Sequence, residues 1–154
     1  MCVIIQLLPD RNIPLDMLSN AVANNWHGYG LMIKRDGKLE IIRKIPKDID
    51  NPDTTRGITE ELDDILRDND KFERILHLRH QTVGSVTLDN CHPFTVFKDE
   101  NAEVVFAHNG TLYEYRPADS KIVDGISVKI NDTRSDSRVF AEEILTPLFN
   151  FAKD

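Results

Sequence analysis

A two-residue turn in the first third of the chain is the strongest constraint on the fold. Asp36 and Gly37 separate two extended runs, residues 31–35 and 38–45. Because Asp-Gly favours a turn whose twist matches that of paired strands, the pattern predicts a β-hairpin. At least one antiparallel sheet is therefore expected.

The N-terminal segment is predicted to be a further strand. Residues 2–8 are apolar at nearly every position and β-branched at Val3, Ile4 and Ile5. Such a run is typical of a strand that is covered on both faces. We therefore expect the chain to begin inside the fold.

Hydrophobic spacing predicts three helices. They are expected between Pro14 and residues 24–25, at residues 55–69, and after the turn at residues 131–135. Their apolar residues recur every three or four positions and so share one helix face. The predicted faces are Leu15, Leu18 and Val22; Ile58, Leu62, Ile65 and Leu66; and Phe140, Ile144 and Leu148. Pro147 is expected to end or kink the last helix, because proline lacks an N–H group.

Alternating side chains predict two more strands, at residues 75–81 and 104–108. In the first, Leu76 and Leu78 face one way and His77 faces the other, as the two-residue period of a strand requires.

Length and charge limit the classes of function. The chain has 154 residues, the size of one ordinary domain, so we expect a single domain over residues 1–154 without an acceptor or synthase domain. With 40% hydrophobic and 29% charged residues it can bury a core. The net charge of −7 argues against nucleic-acid binding, which needs clustered Lys and Arg.

The cysteine content and the lengths of the apolar runs predict the cellular location. Cys2 and Cys91 are too few for a disulfide scaffold, and no signal peptide precedes the first strand, so a reducing, cytoplasmic location is expected. The longest apolar run, residues 3–8, is far shorter than the ~20 residues that cross a bilayer, so no membrane association is expected.

Cys2 is the first candidate catalytic residue. Removal of the initiator methionine is expected before a small residue, and Cys2 then carries a thiol and a free α-amine. The amine titrates near ~7.7–8.0 and the thiol near ~8.5, so the amine can act as general base at neutral pH. Taken alone, Cys2 is more typical of a small apolar residue at a strand start.

Six short segments along the chain carry polar or glycine residues in a distinctive order. They are Cys2-Val3-Ile4-Ile5, His27-Gly28-Tyr29-Gly30, Arg79-His80-Gln81-Thr82-Val83-Gly84, Asn90-Cys91-His92-Pro93, His108-Asn109-Gly110 and Ser135-Asp136-Ser137. Together they resemble the class II glutamine amidotransferase domains of the N-terminal-nucleophile hydrolases. The resemblance implies an α+β fold, a four-layer αββα sandwich of two antiparallel sheets between helices.

The resemblance also implies how glutamine binds. Arg79 grips the carboxylate of the substrate, and Asp136 accepts a hydrogen bond from its α-ammonium group. Thr82 and His92 are implied as accessory substrate contacts. Such a site needs one fixed cation and one fixed anion about an amino acid's width apart, which these residue types supply.

The implied catalytic residues are Cys2, Asn109 and Gly110. The Cys2 thiolate attacks the side-chain amide of glutamine, and the Asn109 NH₂ and the Gly110 N–H stabilise the negative oxygen that forms. Ammonia leaves, and water or an acceptor resolves a γ-glutamyl thioester. No cofactor or metal is implied. The partners expected are glutamine or a γ-glutamyl amide as substrate and a separate protein as ammonia acceptor.

Structural explanations exist for the same residues. Arg79 fits an ion pair at a strand end, Asp136 fits the first turn of a helix, and Asn109 with Gly110 fits a simple turn. A zinc site among the histidines and Cys91 is a poorer explanation, because the spacing of these residues does not favour shared coordination.

Three features depart from the family pattern. His27 changes the charge of the glycine-rich turn, and His80 follows Arg79 where an aromatic residue is common. If Met1 is retained, Cys2 has no free amine. Two alternatives therefore stay open: a hydrolase of another γ-glutamyl amide without ammonia transfer, and a non-catalytic member of the fold that binds a partner.

Overall fold

A four-stranded antiparallel sheet organises the N-terminal half of the protein. The computed structural model describes residues 2–48, 51–118, 120–123, 126–129 and 131–152. The strands are β1 (Val3–Leu7), β2 (Tyr29–Arg35), β3 (Lys38–Lys44) and β4 (Glu73–Leu78). They lie in the order β1-β4-β2-β3, so the first strand pairs with the last.

The predicted hairpin is confirmed. β2 and β3 pair in antiparallel register, with Arg35 opposite Lys38. Asp36 and Gly37 between them have φ values of +50° and +78°. Both lie in the left-handed region that a tight two-residue hairpin requires, which explains the Asp-Gly pair.

The prediction that β1 is covered on both faces is wrong. β1 is an edge strand that pairs only with β4 among the described residues. Its burial alternates, with Leu7 buried and Ile4 39% exposed. A β-branched run also suits an edge strand with one covered face, so composition alone does not distinguish the two cases.

Two helices, α1 (Leu15–Ala23) and α2 (Pro52–Asp68), pack together and cover one face of this sheet. α2 begins three residues before the predicted start, because the Asn51 side chain accepts a hydrogen bond from the backbone N–H of Asp53. The main apolar core combines predicted helix positions with alternate strand positions. Its buried members are Leu7, Leu18, Val22, Tyr29, Leu31, Ile33, Ile58, Leu62, Leu66, Leu76 and Leu78.

A second apolar core lies in the C-terminal half. It joins the antiparallel strands β5 (Phe94–Lys98) and β6 (Glu103–Phe106) to the C-terminal helical segment. Strand β5 was not predicted, nor were β7 (Ser120–Val123) and β8 (Ile126–Lys129), which form a separate antiparallel pair. The structure therefore confirms an α+β protein with antiparallel sheets.

The C-terminal helical segment does not bury its predicted face. It comprises α3 (Asp136–Phe140), a π-helical turn (Ala141–Leu145) and α4 (Thr146–Phe151). Ile144 and Leu148 are 39% and 57% exposed, and the residues packed on the second core are Ala141, Leu145 and Phe149. The wider turn changes which residues face the core, a shift that ordinary helical spacing does not anticipate.

The same π-helical turn accommodates Pro147, so helical structure continues to Phe151. The Thr146 hydroxyl donates a hydrogen bond to the carbonyl of Ala141, 2.9 Å away, and the Thr146 N–H bonds the same carbonyl. Across the described residues, no helix combines the length and apolarity needed to span a membrane.

Gly30 allows the loop at residues 90–93 to lie directly against β2. A Cβ atom on Gly30 would lie 1.7 Å from the carbonyl oxygen of His92. Gly28, with φ of +131°, approaches the same loop, and its Cβ would lie 2.6 Å from Cys91 Sγ. The glycine-rich turn is thus needed for close packing between the sheet and this loop.

We predict that Gly30→Ala destabilises the protein by about 3 kcal/mol or more, because a backbone carbonyl has to move to make room. Chemical denaturation measures the change. Gly57→Ala is the matched control, since Gly57 lies in α2 with open space around it and the substitution should stabilise by about 0.5–1 kcal/mol. Equal stability of Gly30→Ala and wild type would contradict the packing described.

Candidate functional site

Arg79 follows β4 directly and is almost completely buried, with 3% exposure. Its backbone N–H donates to the carbonyl of Gly28, 2.8 Å away, and its Nη2 donates a long hydrogen bond to the carbonyl of Val83. Its Nη1 is buried and has no hydrogen-bond partner among the described residues. Burial lowers the pKa of Arg79, and the nearby Cys91, Cys2 and Asp136 oppose that effect.

This guanidinium group is suited to bind an anion. Arginine remains protonated in proteins, and a buried donor without a partner costs about 1–3 kcal/mol, more when it is charged. A carboxylate that reached Nη1 would remove that cost and form a charge-assisted bond.

Asp136 is fixed at the first turn of α3. Ser135 precedes the helix and its hydroxyl accepts from the backbone N–H of Arg138. The two oxygens of Asp136 accept from the backbone N–H groups of Leu112, at 2.6 Å, and Ser137, at 2.9 Å. Asp136 is 4% exposed, and its oxygens retain lone pairs for another donor.

Asn90 connects this helix start to the loop that carries His92, a role that we did not predict. Its amide donates to the carbonyls of Thr133, at 2.7 Å, and Ser85, at 3.0 Å. Its side-chain oxygen accepts from the N–H of Ser135 at 2.9 Å. The position of Asn90 in the Asn-x-His-Pro segment was the available sequence signal.

Cys2 lies beside the backbone that follows Arg79. Its Sγ donates to the carbonyl of His80 at 3.5 Å and accepts from the N–H of His80 at 3.4 Å. The Cys2 side chain is half-buried, and neither its thiol nor that of Cys91 forms a disulfide.

Two clefts meet at Cys2. The inner cleft lies between Cys2, Arg79, His92 and Asp136 and has a volume of about 20 Å³. The outer cleft has a volume of about 190 Å³. It is lined by Cys2, His80, Thr82, Gly110, Thr111 and Tyr113.

The structure brings six of the seven predicted site residues to these clefts. Cys2, Thr82 and Gly110 line both, and Arg79, His92 and Asp136 line the inner one. Asn109 is exposed and is not among the described residues that line either cleft. Gly110, with φ of +151°, adopts a conformation that favours glycine.

Histidine rings lie together at the inner cleft: His92 and His108 line it, and His77 packs against His92. His77 and His92 have ring centroids 4.1 Å apart, and His77 Nε2 lies 3.2 Å from the carbonyl oxygen of His108. The His108 Nδ1 lies 3.2 Å from the hydroxyl of Ser137. Burial is the main cause that lowers the pKa of His77 to about 4 and of His92 to about 2, so both rings are neutral at pH 7.

Cys91 has a different environment from Cys2. It is completely buried, and burial raises the pKa of its thiol to about 11. Such a thiol is unreactive at neutral pH. Within the part of the chain that the structure describes, no group of three or more His, Cys, Asp or Glu side chains is arranged to hold a metal ion.

Comparison with known proteins assigns a family to this fold and site. The chain belongs to the class II glutamine amidotransferases, whose family model matches residues 51–141, and thereby to the N-terminal-nucleophile hydrolases. The matched region contains the predicted residues from Arg79 to Asp136 but not Cys2.

One curated relative aligns over a short segment. An uncharacterized protein of Methanocaldococcus jannaschii is 51% identical to this chain over 41 residues. The segment is 27% of this chain and 11% of that protein, so the match spans about a tenth of the relative's length. No solved structure matches the chain.

The buried His77 should make stability depend on pH. Its pKa is lowered from 6.5 to about 4, so the unfolded state binds more protons between these values and stability falls as the pH drops through that window. The loss attributable to His77 is about 3 kcal/mol in all, or about 1.4 kcal/mol per pH unit.

Urea unfolding at a series of pH values from 7 to 4.5, for wild type and His77→Gln, measures this contribution. Carboxylates that titrate in the same pH range are present in both proteins. The difference between their free energies of unfolding therefore reports the contribution of His77. The stability of the variant should depend less steeply on pH, whereas parallel curves would show that the His77 ring is not buried and neutral.

Proposed function

We propose that the protein hydrolyses the side-chain amide of glutamine through a γ-glutamyl thioester on Cys2. The observation that carries this proposal is the buried guanidinium of Arg79, whose Nη1 lacks a partner among the described residues and which lines the same cleft as Cys2. The family assignment supports amide hydrolysis or transfer from glutamine.

Arg79 and Asp136 bind the amino-acid end of the substrate in this proposal. The α-carboxylate completes the hydrogen bonding of Arg79 Nη1, and the α-ammonium donates to an oxygen of Asp136. Thr82 and His92, which line the inner cleft, orient the bound substrate. With its end groups held in this way, the side-chain amide of glutamine points at Cys2.

Substrate binding requires the inner cleft to open. A cavity needs on the order of 10–15 Å³ to hold one water molecule, so about 20 Å³ does not admit an amino-acid end group. Thr82 and Val83 form the more exposed wall and belong to a turn without helix or strand structure. We propose that this wall moves outward when glutamine binds.

Chemistry begins at Cys2 once Met1 has been removed. The free α-amine accepts the thiol proton, and the thiolate attacks the amide carbon. The Gly110 N–H and the Asn109 NH₂ stabilise the developing negative oxygen, which requires the exposed Asn109 side chain to turn toward the cleft. Loss of one such donor costs roughly 3–4 kcal/mol of transition-state stabilisation. Ammonia then leaves, and water hydrolyses the thioester.

The proposal also covers the architecture of the domain and the fate of the ammonia. The two apolar cores, one against α1 and α2 and the other against the C-terminal helical segment, support a four-layer αββα sandwich. We propose one domain over residues 1–154, active in the cytoplasm without cofactor or metal, which releases ammonia to water or to a separate acceptor protein.

A glutamine-analogue electrophile should label Met1-free protein at Cys2. Intact mass and peptide mapping measure the label. Cys2→Ala should abolish labelling, and Cys91→Ala should leave it intact because the Cys91 thiol is buried and protonated at pH 7. Labelling that depends on Cys91 would overturn the choice of nucleophile, and an intact Met1 without any label would favour the non-catalytic alternative.

Replacement of Arg79 should weaken substrate binding. Arg79→Lys removes the planar fork, so kcat/KM for glutamine should fall about 10- to 100-fold, mainly through KM. Arg56→Lys is the matched control, since Arg56 is exposed on α2 and lies outside both clefts. Unchanged kinetics in Arg79→Lys would refute carboxylate binding by this residue.

A further inference from the structure

The outer cleft adjoins the position of the leaving group. It shares Cys2, His80, Thr82 and Gly110 with the inner cleft, but Arg79 and Asp136 line only the inner one. If the amino-acid end of a substrate occupies the inner cleft, the bond that breaks lies at Cys2. The group on the nitrogen side of that bond then faces the outer cleft.

The outer cleft is much larger than ammonia requires. Ammonia is close to water in size, and one water molecule needs on the order of 10–15 Å³. The outer cleft has about 190 Å³, more than ten times that space. The size of ammonia alone therefore does not account for this volume next to the nucleophile.

The lining of the outer cleft selects an uncharged group. Thr82, Thr111 and Tyr113 contribute hydroxyl groups and methyl or ring carbons, and His80 contributes an imidazole ring. No Asp, Glu, Lys or Arg is among the described residues that line the cleft. The Tyr113 ring is 73% exposed. The Arg116 guanidinium lies 4.6 Å from the ring centroid and holds the ring by a cation–π contact.

We propose that the outer cleft binds the nitrogen substituent of a secondary γ-glutamyl amide, and that this substituent is uncharged and apolar or aromatic. The inference rests on the proposed function and names its substrate class. Tyr113 provides the aromatic contact, and the inner cleft binds the glutamyl part as for glutamine.

The reaction balances without any cofactor. Cys2 Sγ bonds to the amide carbon, the carbon–nitrogen bond breaks, and the amine leaves with the proton from the thiol. Water then attacks the thioester carbon, the carbon–sulfur bond breaks, the hydroxyl of the water becomes part of the γ-carboxyl group of glutamate, and the other proton of the water returns to sulfur. The products are glutamate and the free amine.

Steady-state kinetics of Met1-free protein on glutamine, γ-glutamyl methylamide and γ-glutamyl benzylamide test the proposal. The benzylamide should be hydrolysed with a kcat/KM at least equal to that of glutamine. Tyr113→Ala should lower the ratio of kcat/KM for benzylamide to that for glutamine about three- to tenfold, the range expected for loss of one aromatic contact. Thr111→Phe, which fills the outer cleft, should lower the same ratio further. The corresponding ratio for the methylamide should fall less, because a methyl group needs less space.

Phe151→Ala is the matched control. It removes another exposed aromatic ring, at the end of α4 and outside both clefts, and should leave the ratio unchanged. Turnover of glutamine without turnover of the benzylamide would overturn the outer-cleft proposal alone. Benzylamide turnover with a ratio that neither Tyr113→Ala nor Thr111→Phe changes would also overturn it. Turnover of neither compound would refute the proposed function itself.

Discussion

The carbonyl oxygen of His92 occupies the space that a side chain at residue 30 would need. This contact brings the loop at residues 90–93 against β2, and the geometry of the site depends on it. Asn90 in the same loop bonds the carbonyl of Thr133 and the N–H of Ser135, which positions the start of α3. Strand, loop and helix therefore approach closely enough for Arg79 and Asp136, which lie far apart in sequence, to line one cleft.

Polar side chains are buried at and around the candidate site. His77, Arg79, Asn90, His92 and Asp136 are all at least 95% buried. Burying such groups is unfavourable unless they are hydrogen-bonded, and Asn90 and Asp136 are well satisfied whereas Arg79 Nη1 and both ring nitrogens of His92 are not. Unsatisfied donors and acceptors concentrate beside the nucleophile, where a substrate carboxylate and ammonium group can complete the hydrogen bonding.

Local patterns predicted the elements whose geometry is decided locally. The hairpin at residues 36–37 needed only turn preference. Alternation predicted the strand at residues 75–81, but β4 ends at Leu78, so Arg79 lies just after the strand and not within it. The exposure of Ile4 could not be predicted, because it depends on which strand lies at the sheet edge. The π-helical turn at residues 141–145 changes which residues face the core, and ordinary helical spacing does not predict such a turn. The role of Asn90 depends on contacts with residues more than 40 positions away, which local sequence patterns do not predict. The motif order suggested the inner cleft, whereas the outer cleft arises from tertiary packing.

The central claim is that Arg79 and Asp136 hold the two ends of an α-amino acid while its side-chain amide faces Cys2. A crystal structure of Cys2→Ala with bound glutamine tests this most directly, because the bound substrate persists when the nucleophile is absent. The account predicts the α-carboxylate within hydrogen-bonding distance of Arg79 Nη1, the α-ammonium at Asp136, and the amide carbon next to residue 2. Glutamine bound in the reverse orientation, or outside the inner cleft, would contradict it.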